Sequence, residues 1–587
     1  MNKLTRVKID LHTTPFSRYG SYMSISYLLE LKDENAGSFL DIARPAVYKP
    51  RPAGLYLQTV HGDALRQEIF RFELIYEGES LPFQVEANPF EIKLISTVGF
   101  VRLCFSEPEI LFFSAENVGL RIVGMPGVFD QVIPRGLDKW EYNSLSTRQR
   151  FMVSRLEGSL SVDAPYNHLE KKSDHIILDF LPNDESRQAK GVFEDYNTSW
   201  IPRKYNHDYE SSLSIIVDDF NGFLEKTVPT SQELEETLIK AAYVNWSCVV
   251  KPNGILPRAG MLMSKGMMAN IWSWDHTFNA MALAYQNPKL AWDQFMIPFD
   301  LMDDEGCLPD SVSDLVILRN FTKPPIHGMM LRRMDSASNL LTYDRMKEIF
   351  EPLERWTEWW FTFRDDDKDG LPQYNHGNDS GWDNGTIFDC IHPVSSPDLA
   401  AFLVIQMEVL ADIAKKIGEV DKSIYWNQRS KQLLSKLQKK YCINGFFVAL
   451  GAHGKVMDTM SLQLLLPLIL GKRLPANIIK NMVFRIKNDG FLTDYGIATE
   501  SVLSPEYQPN GYWRGPIWAP STLIIVDALV SVGEHELAKA IAVKFCNLCR
   551  NEGMAENFDA LTGKGLRDRA YTWTSSVFMI LAHEFSL

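Results

Sequence analysis

Residues 375–386 read NHGNDSGWDNGT. Asp383 follows Trp382 there, among asparagines, a second aspartate and glycines. No apolar face of helical or strand spacing runs through the segment, so it reads as an exposed loop. A turn uses Asn, Asp and Gly, but it has no use for an indole. A carboxyl beside an indole can instead be a proton donor, with the ring as the wall that desolvates it.

Three other stretches mix the same residue types. IWSWDHTF, 271–278, sets Trp272, Trp274 and Asp275 where a helix begins. PNGYWRGPIW, 509–518, carries Tyr512, Trp513, Arg514 and Trp518 into another helix. GMAENFDALTGKGLRDRAYTWTSS, 553–576, holds Glu556 and Trp573. Exposed tryptophan in a loop is costly unless it is used. One use is to stack on the apolar face of a sugar ring while Asp, Asn and Arg bind its hydroxyls. Two carboxylates on separate loops, Asp383 and Glu556, then point to glycosidic cleavage: one donates a proton to the leaving oxygen, the other activates water or attacks. Taken singly, Asp275 reads equally as a helix cap, Asp383 as a turn residue and Glu556 as a surface glutamate. GYWRGPIW resists so plain a reading, because aromatic and charged groups crowd a Gly- and Pro-punctuated turn.

The elements that must carry these loops change character along the chain. Residues 1–225 contain only Trp140 and Trp200, and the other tryptophans follow. Stretches 24–33, 68–79, 90–107 and 212–220 alternate or run β-branched and aromatic between turn residues, which predicts strands of an antiparallel β-sandwich over 1–225. From 226 to 587 the period becomes helical. Thr230 and Glu233 form a capping box. Met346, Ile349, Phe350, Leu353, Trp356 and Trp360 share one stripe, and Ser396-Pro397 opens a helix. Helices are expected near 231–250, 274–286, 290–302, 325–335, 343–364, 396–418, 421–441, 458–470, 475–488, 516–533, 534–552 and 571–585. That number suits two concentric rings, an (α/α)6 barrel, with the chemical loops between its helices.

Composition removes other classes. A net charge of −14 argues against a nucleic-acid surface. The N-terminal stretch lacks an apolar core of signal type, and LQLLLPLIL at 462–470 is too short to span a membrane. Seven scattered cysteines make no disulfide framework. Cys546 and Cys549 read as core residues on one helix face. A cytoplasmic protein without nucleic-acid or membrane partners is expected.

WSWDHTF, KPPIHG, SGWDNG, NGYWRGPIW and AENFDALTGKG…YTWT resemble, in that order, the catalytic domain of glycoside hydrolase family 63. That family includes processing α-glucosidases and bacterial relatives acting on glucosides and on mannosyl- or glucosylglycerate; the family 37 trehalases share the SGWD element. The resemblance covers about 230–587. It implies an inverting (α/α)6-barrel glycosidase with Asp383 as general acid and Glu556 as general base. It also implies sugar contacts from Trp272, Asp275, Tyr512, Trp513, Trp518 and Trp573, beside Trp274, Trp382 and Arg514 of the same loops. The chain departs from the family at Asn378 and Asp379, where many relatives carry Trp-Glu, and at NGTIFD after the acid. The pocket beside the acid is therefore remodelled.

RDDDKDGL, 364–371, sets Asp365, Asp367 and Asp369 at alternate positions before Gly370, like the first half of a calcium loop. His376 stands where that loop would carry its closing glutamate, so a structural calcium and a solvated acidic turn are both open. Catalysis requires no cofactor. The expectation is an α-glucosidase acting on a small α-linked oligosaccharide or glucoside, its partner a small carbohydrate. A trehalase-like or glucosylglycerate-type hydrolase and a non-catalytic sugar-binding protein are the alternatives.

Overall fold

The computed structural model describes residues 7–31, 50–62, 67–206 and 208–585. The chain divides into two compact units. One comprises the residues up to Glu225 with Trp246–Lys251 and Lys265–Ala269; the other comprises Lys226–Asn245, Pro252–Ser264 and the residues from Asn270 onward.

The first unit is built from antiparallel strands. One sheet runs Met23–Leu28, Gly54–Thr59, Glu68–Tyr76, Gly119–Gly124, Ile177–Leu181 and Ser159–Asp163 in spatial order. The other runs Gln131–Pro134, Lys139–Ser144, Gln149–Glu157, Gln188–Tyr196, Ile110–Glu116, Phe100–Glu107, Ile92–Ile95 and Gln84–Ala87. Alternating side chains from both sheets share one apolar core. Phe113 of the second sheet meets Phe180 of the first with ring centroids 4.8 Å apart, and Phe193 of the second lies 5.9 Å from Phe70 of the first.

The stretch 212–220, expected as a strand, is instead part of a helix, α1 (Tyr209–Leu224). Its β-branched run suggested a strand, but Tyr209, Ser212, Ile216, Phe220 and Phe223 are buried at helical spacing, and Asp208 caps the first turn by accepting from Glu210 N–H. Of the stretch 24–33, the last two positions lie outside the described residues.

The second unit is helical. It contains α2 (Glu235–Cys248, whose last residues belong to the first unit), α3 (Asp275–Ala284), α4 (Pro288–Asp300), α5 (His327–Ser338) and α6 (Tyr343–Phe363). The four-residue α7 (Gly377–Ser380), α8 (Pro397–Ile417) and α9 (Val420–Tyr441) follow. A 3-10 segment, Leu462–Arg473, precedes α10 (Ala476–Asn488), α11 (Ala519–Ser531), α12 (His535–Glu552) and α13 (Thr572–Phe585). The expected capping box is absent: a 3-10 turn, Gln232–Leu234, precedes α2, and the Thr230 hydroxyl has no hydrogen bond. The helix expected at 458–470 is the 3-10 segment, because Pro467 has no N–H for the α-helical ladder.

Two kinds of helix are distinguishable. In α3 every residue is buried, as are nearly all of α11 and most of α13. In α6 and α12 burial follows one stripe. The enclosed elements pack in succession: α3 on α5, α5 on α8, α8 on the 3-10 segment, that segment on α11, α11 on α13, and α13 back on α3. The amphipathic helices lie against them, α4 on α3, α6 and α9 on α8, α10 on the 3-10 segment, and α12 on α11 and α13.

The enclosed helices point the same way. Near their C-terminal ends, Tyr285 donates to Glu584 at 2.6 Å, and Arg333 pairs with Glu584 at 2.7 Å and with Asp527 at 3.0 Å. At their N-terminal ends, His276 of α3 meets His327 of α5 with ring centroids 5.5 Å apart. Trp573 of α13 meets Trp274 and Trp518, which precede α3 and α11. The positive ends of several helix dipoles thus gather where the chemical loops lie. Among the described residues, no helix is long and apolar enough to cross a membrane.

The aromatic contacts between the two sheets generate a stability prediction. Phe193→Ala should destabilise the first unit by about 3–5 kcal/mol, the range for emptying a packed aromatic site. Denaturant unfolding followed by circular dichroism reads this, and a loss under about 1 kcal/mol would contradict the packing.

Candidate active site

The acid loop is folded by its own polar residues. Asp379 is buried and accepts the backbone N–H of Asn375 at 3.0 Å and of His376 at 3.2 Å through one oxygen. Its other oxygen accepts from Thr322 N–H at 3.1 Å. Asp379 is thereby spent on the backbone, and the loop is less exposed than its composition suggested. Its glycines are required. Gly381 has φ +74°, and a Cβ there would lie 2.5 Å from the Trp274 ring. A Cβ on Gly377 would lie 2.1 Å from the Asp383 carbonyl oxygen.

Asn384 ties this loop to the 509–518 loop. Its amide donates to Gly511 O at 2.9 Å and accepts from Trp513 N–H at 3.0 Å. Arg514 donates through Nε to Asn384 O at 2.8 Å and pairs with Asp389. Arg514, expected to bind substrate, thus contacts the loop that carries Asp383. Behind it the buried Glu500 accepts from Thr386 at 2.8 Å and from Ser504 at 2.7 Å.

Glu556 immediately precedes the middle strand of a small three-stranded sheet in which Ile517–Trp518 pairs with Asn557–Phe558, and these with Gly565–Leu566. Its own N–H donates to Asp568 O at 2.7 Å, and Thr574 donates to Ala555 O at 2.7 Å. Glu556 is 3% exposed. Burial first, and then the Asp568 charge, push it up to about 8, while Arg567 opposes the shift.

Asp383 is held above the usual aspartate range, chiefly by burial and also by Asp310. Lys323 and His376 act in the opposite direction. The Asp383 charge also raises Glu556, so the two carboxyls share one field. Asp275, buried at the first turn of α3, is likewise raised, chiefly by burial, and its Oδ2 has no hydrogen-bond partner. Lys323 is the cation of this group. Its buried ammonium lies 3.0 Å from Asp310 Oδ1 and donates to Asn378 O at 2.9 Å. Lys323 lies within KPPIHG, and Asp310, Arg567 and Asp568 lie near motifs, but sequence spacing assigned none of them a role.

The tryptophans correct one expectation. Trp274, Trp382, Trp513, Trp518 and Trp573 are only 1–3% exposed, so they are not exposed loop residues. Trp513 stacks on Trp518 at 4.2 Å and 4°, and lies 4.8 Å from Trp382 and 6.1 Å from Trp274. They form a packed backing. Trp272 alone of the six is half-buried. It is fixed by strand pairing with Ser311 and by His276, whose Nδ1–H donates to Trp272 O at 3.0 Å. Burial pushes His276 down to about 4, so its ring is neutral. Tyr512 is half-buried with φ +65°, and the Arg567 guanidinium, itself on a residue of φ +58°, lies 4.8 Å from its ring centroid. Two non-glycine residues in this sparsely populated region meet at the site.

The acidic run lies elsewhere on the helical unit. Oxygens of Asp365, Asp367 and Asp369 approach within 4.8 Å of one another, but Lys440 pairs with Asp369 and lies 3.6 Å from Asp367. Lys436 donates to Asp369 O at 2.6 Å. An ammonium already supplies the counter-charge, and these donors do not fit a calcium ion unless Lys440 moves. Cys546 and Cys549 are both buried on α12.

The chain matches the mannosylglycerate hydrolase MGH1-like glycoside hydrolase domain over residues 268–574. It is 21% identical over 454 residues to a mannosylglycerate hydrolase of Rubrobacter radiotolerans, an alignment covering 61% of this chain and 99% of that protein. The crystal structure of the family 63 mannosylglycerate hydrolase from Thermus thermophilus in complex with Tris and D-glycerate aligns with a TM-score of 0.52 at 17% identity. That alignment covers 58% of this chain and 99% of that one. A bacterial glucoamylase complexed with acarbose aligns with a TM-score of 0.63 at 11% identity, over 98% of this chain and 93% of that one.

The different burial of the indoles predicts different losses. Trp513→Ala should destabilise the helical unit by about 3–5 kcal/mol. Trp272→Ala should leave the melting temperature near that of the wild type while lowering kcat/KM about tenfold or more. An equal loss of stability in both variants would contradict the distinction.

Proposed function

The chain belongs to the MGH1-like glycoside hydrolases of family 63, and on that footing we propose that it hydrolyses an α-linked mannoside or glucoside of a small aglycone with inversion. Asp383 is the general acid and Glu556 the general base. The observation that carries this reading is the pair of desolvated carboxyls, on loops tied into one cluster, each with a raised pKa. Asp383 gives its proton to the glycosidic oxygen as the bond to the anomeric carbon breaks. Glu556 takes a proton from the water that attacks from the opposite face. Free sugar and the protonated aglycone leave, and the acid is reset from solvent. An inverting pair needs room for that water, so the carboxyls should stand about 6.5–9.5 Å apart.

Asp275, with its unpartnered oxygen, and the half-buried Trp272 would hold the sugar at the cleaved end, and Tyr512 would border it. The indole cluster of Trp274, Trp382, Trp513, Trp518 and Trp573 would keep that wall rigid. The names of the relatives make mannosylglycerate and glucosylglycerate the first substrates to try. An α-glucoside with another small aglycone, the α-glucosidase expected from the sequence motifs, is second. We read the succession of enclosed elements that returns to its start as an (α/α)6 barrel, with 226–587 catalytic and 1–225 a β-sandwich accessory domain. The unpaired cysteines suit a reducing compartment, and so a cytoplasmic reaction.

The functional test is turnover of α-mannosylglycerate, α-glucosylglycerate, trehalose and maltose, with proton NMR in the first minutes, before the product mutarotates. The β-anomer is expected first from an α-linked substrate. Initial α-anomer would overturn inversion, and sugar binding without turnover of any of the four would overturn the hydrolase reading.

The raised glutamate gives a pH prediction. An α-glycosyl fluoride needs little protonation of its leaving group, so the Asp383→Asn enzyme should still turn it over with Glu556 as the one titrating member of the pair. A base works when ionised, so the rate should climb with pH, with a midpoint displaced from the ordinary 4.5 toward about 8. A midpoint near 4.5 would contradict the burial of Glu556 or its role.

A further inference from the structure

Lys323 is a buried amine in the catalytic group, and the two-carboxylate mechanism does not use it. It precedes two prolines and α5, and it reaches the acid loop by two routes. Its ammonium donates to Asn378 O in the short helix that leads to Asp383. The preceding residue, Thr322, donates its N–H to Asp379, the carboxylate that organises the same turn. The ammonium also pairs with Asp310 at 3.0 Å. Asp310 in turn is fixed by backbone bonds, its N–H to Leu318 O at 2.9 Å and its carbonyl accepting from Ser273 at 3.1 Å, two residues before Asp275. One amine thus joins the acid loop to the strand edge that carries Asp310 and to the loop that carries Asp275.

The charges around it make this junction consequential. Asp275, Asp310 and Asp383 all act on Lys323, Asp383 the most strongly. His376 faces Asp383 from the start of α7, and Glu556 couples to it from the opposite loop. Setting the buried Asp275 and Asp310 and the half-buried Asp383 around one cation leaves room for a proton on one of them. Asp310 holds the ammonium directly.

We propose that Lys323 is a positioning residue for the proton-donating step: its ammonium holds the acid turn in place and offsets Asp310 and Asp275, so that Asp383 carries a proton it can release. This rests on the reading of Asp383 as the general acid. An acid works best when its pKa lies near the operating pH. Without the ammonium, the neighbouring carboxylates and burial would hold the Asp383 proton too tightly, and the acid would be weak. Without Asp310, more of the ammonium's charge would act on Asp383, and the proton would be lost at lower pH.

The test isolates the acid by working in a Glu556→Gln background, where residual turnover of whichever α-glycoside the substrate panel identifies falls with rising pH as Asp383 loses its proton. Adding Asp383→Asn must abolish that fall. If the fall persists, or if no glycoside is turned over, the acid reading fails and takes this inference with it. With the acid reading intact, Lys323→Met should move the fall to higher pH by about one unit or more, and Asp310→Asn should move it to lower pH. A structural role alone would lower the rate without moving the midpoint in opposite directions. Midpoints that stay in place, or that move the same way in both variants, would overturn the proposal. Should Lys323→Met fail to fold, Asp310→Asn decides: a downward shift supports the proposal and no shift refutes it.

Discussion

The carboxyls of this site share one scarce cation. Asp275, Asp310 and Asp383 are drawn from three segments that are far apart in sequence, and all three interact with Lys323. Burial raises Asp275 and Asp383, and the Asp310 charge adds to the cost of ionising both. The alternative to a counter-charge is protonation, and a site for glycoside cleavage needs one carboxyl protonated and another ionised. On the proposed reading, the same scarcity that makes the cluster costly to bury supplies the two protonation states that the chemistry uses. Glu556 stands at the edge of this group, coupled to Asp383 but governed mainly by its own burial and by Asp568.

Holding such a cluster demands rigid loops, and the fold supplies them in layers. The enclosed helices begin where the loops lie, so backbone donors and dipoles of positive sign face a region rich in carboxylates. Asn384, Arg514, Glu500 and Asp379 spend polar atoms on other loops or on the backbone, whereas Asp275 Oδ2 has no hydrogen-bond partner. The stacked indoles fill the space between the loops with apolar volume that excludes water. The left-handed backbone of Tyr512 and of Arg567 is a local cost accepted to bring a ring and a guanidinium together beside Glu556.

Much of this could be read from the residues. Helical stripes such as Met346 to Trp360 show which face is buried, and the ends of α6, α8 and α12 fall within a residue or two of their sequence signals. The misreadings have identifiable causes. In α1 a β-branched run masked a helical spacing that only burial reveals. Pro467 turned an expected α-helix into a 3-10 segment. Tryptophan next to glycine and aspartate suggested exposed sugar platforms, yet a loop composition cannot say that five indoles from four loops pack against one another. The contacts of Arg514 to Asn384 and Asp389 could not be read either, because those partners lie more than a hundred residues away. Lys323 lies in a recognisable motif, KPPIHG, but neither it nor Asp310 carried a signal of its role: a lysine before two prolines becomes meaningful only when folding brings it to three aspartates.

That Asp383 and Glu556 face one sugar from opposite sides is tested most directly by a crystal structure with mannose or glucose and D-glycerate bound. Asp383 should then lie within hydrogen-bond reach of the oxygen that would be cleaved. A water held by Glu556 should stand on the far side of the anomeric carbon, with the carboxyls about 6.5–9.5 Å apart. Carboxyls about 5–5.5 Å apart, or a sugar bound away from either residue, would contradict it.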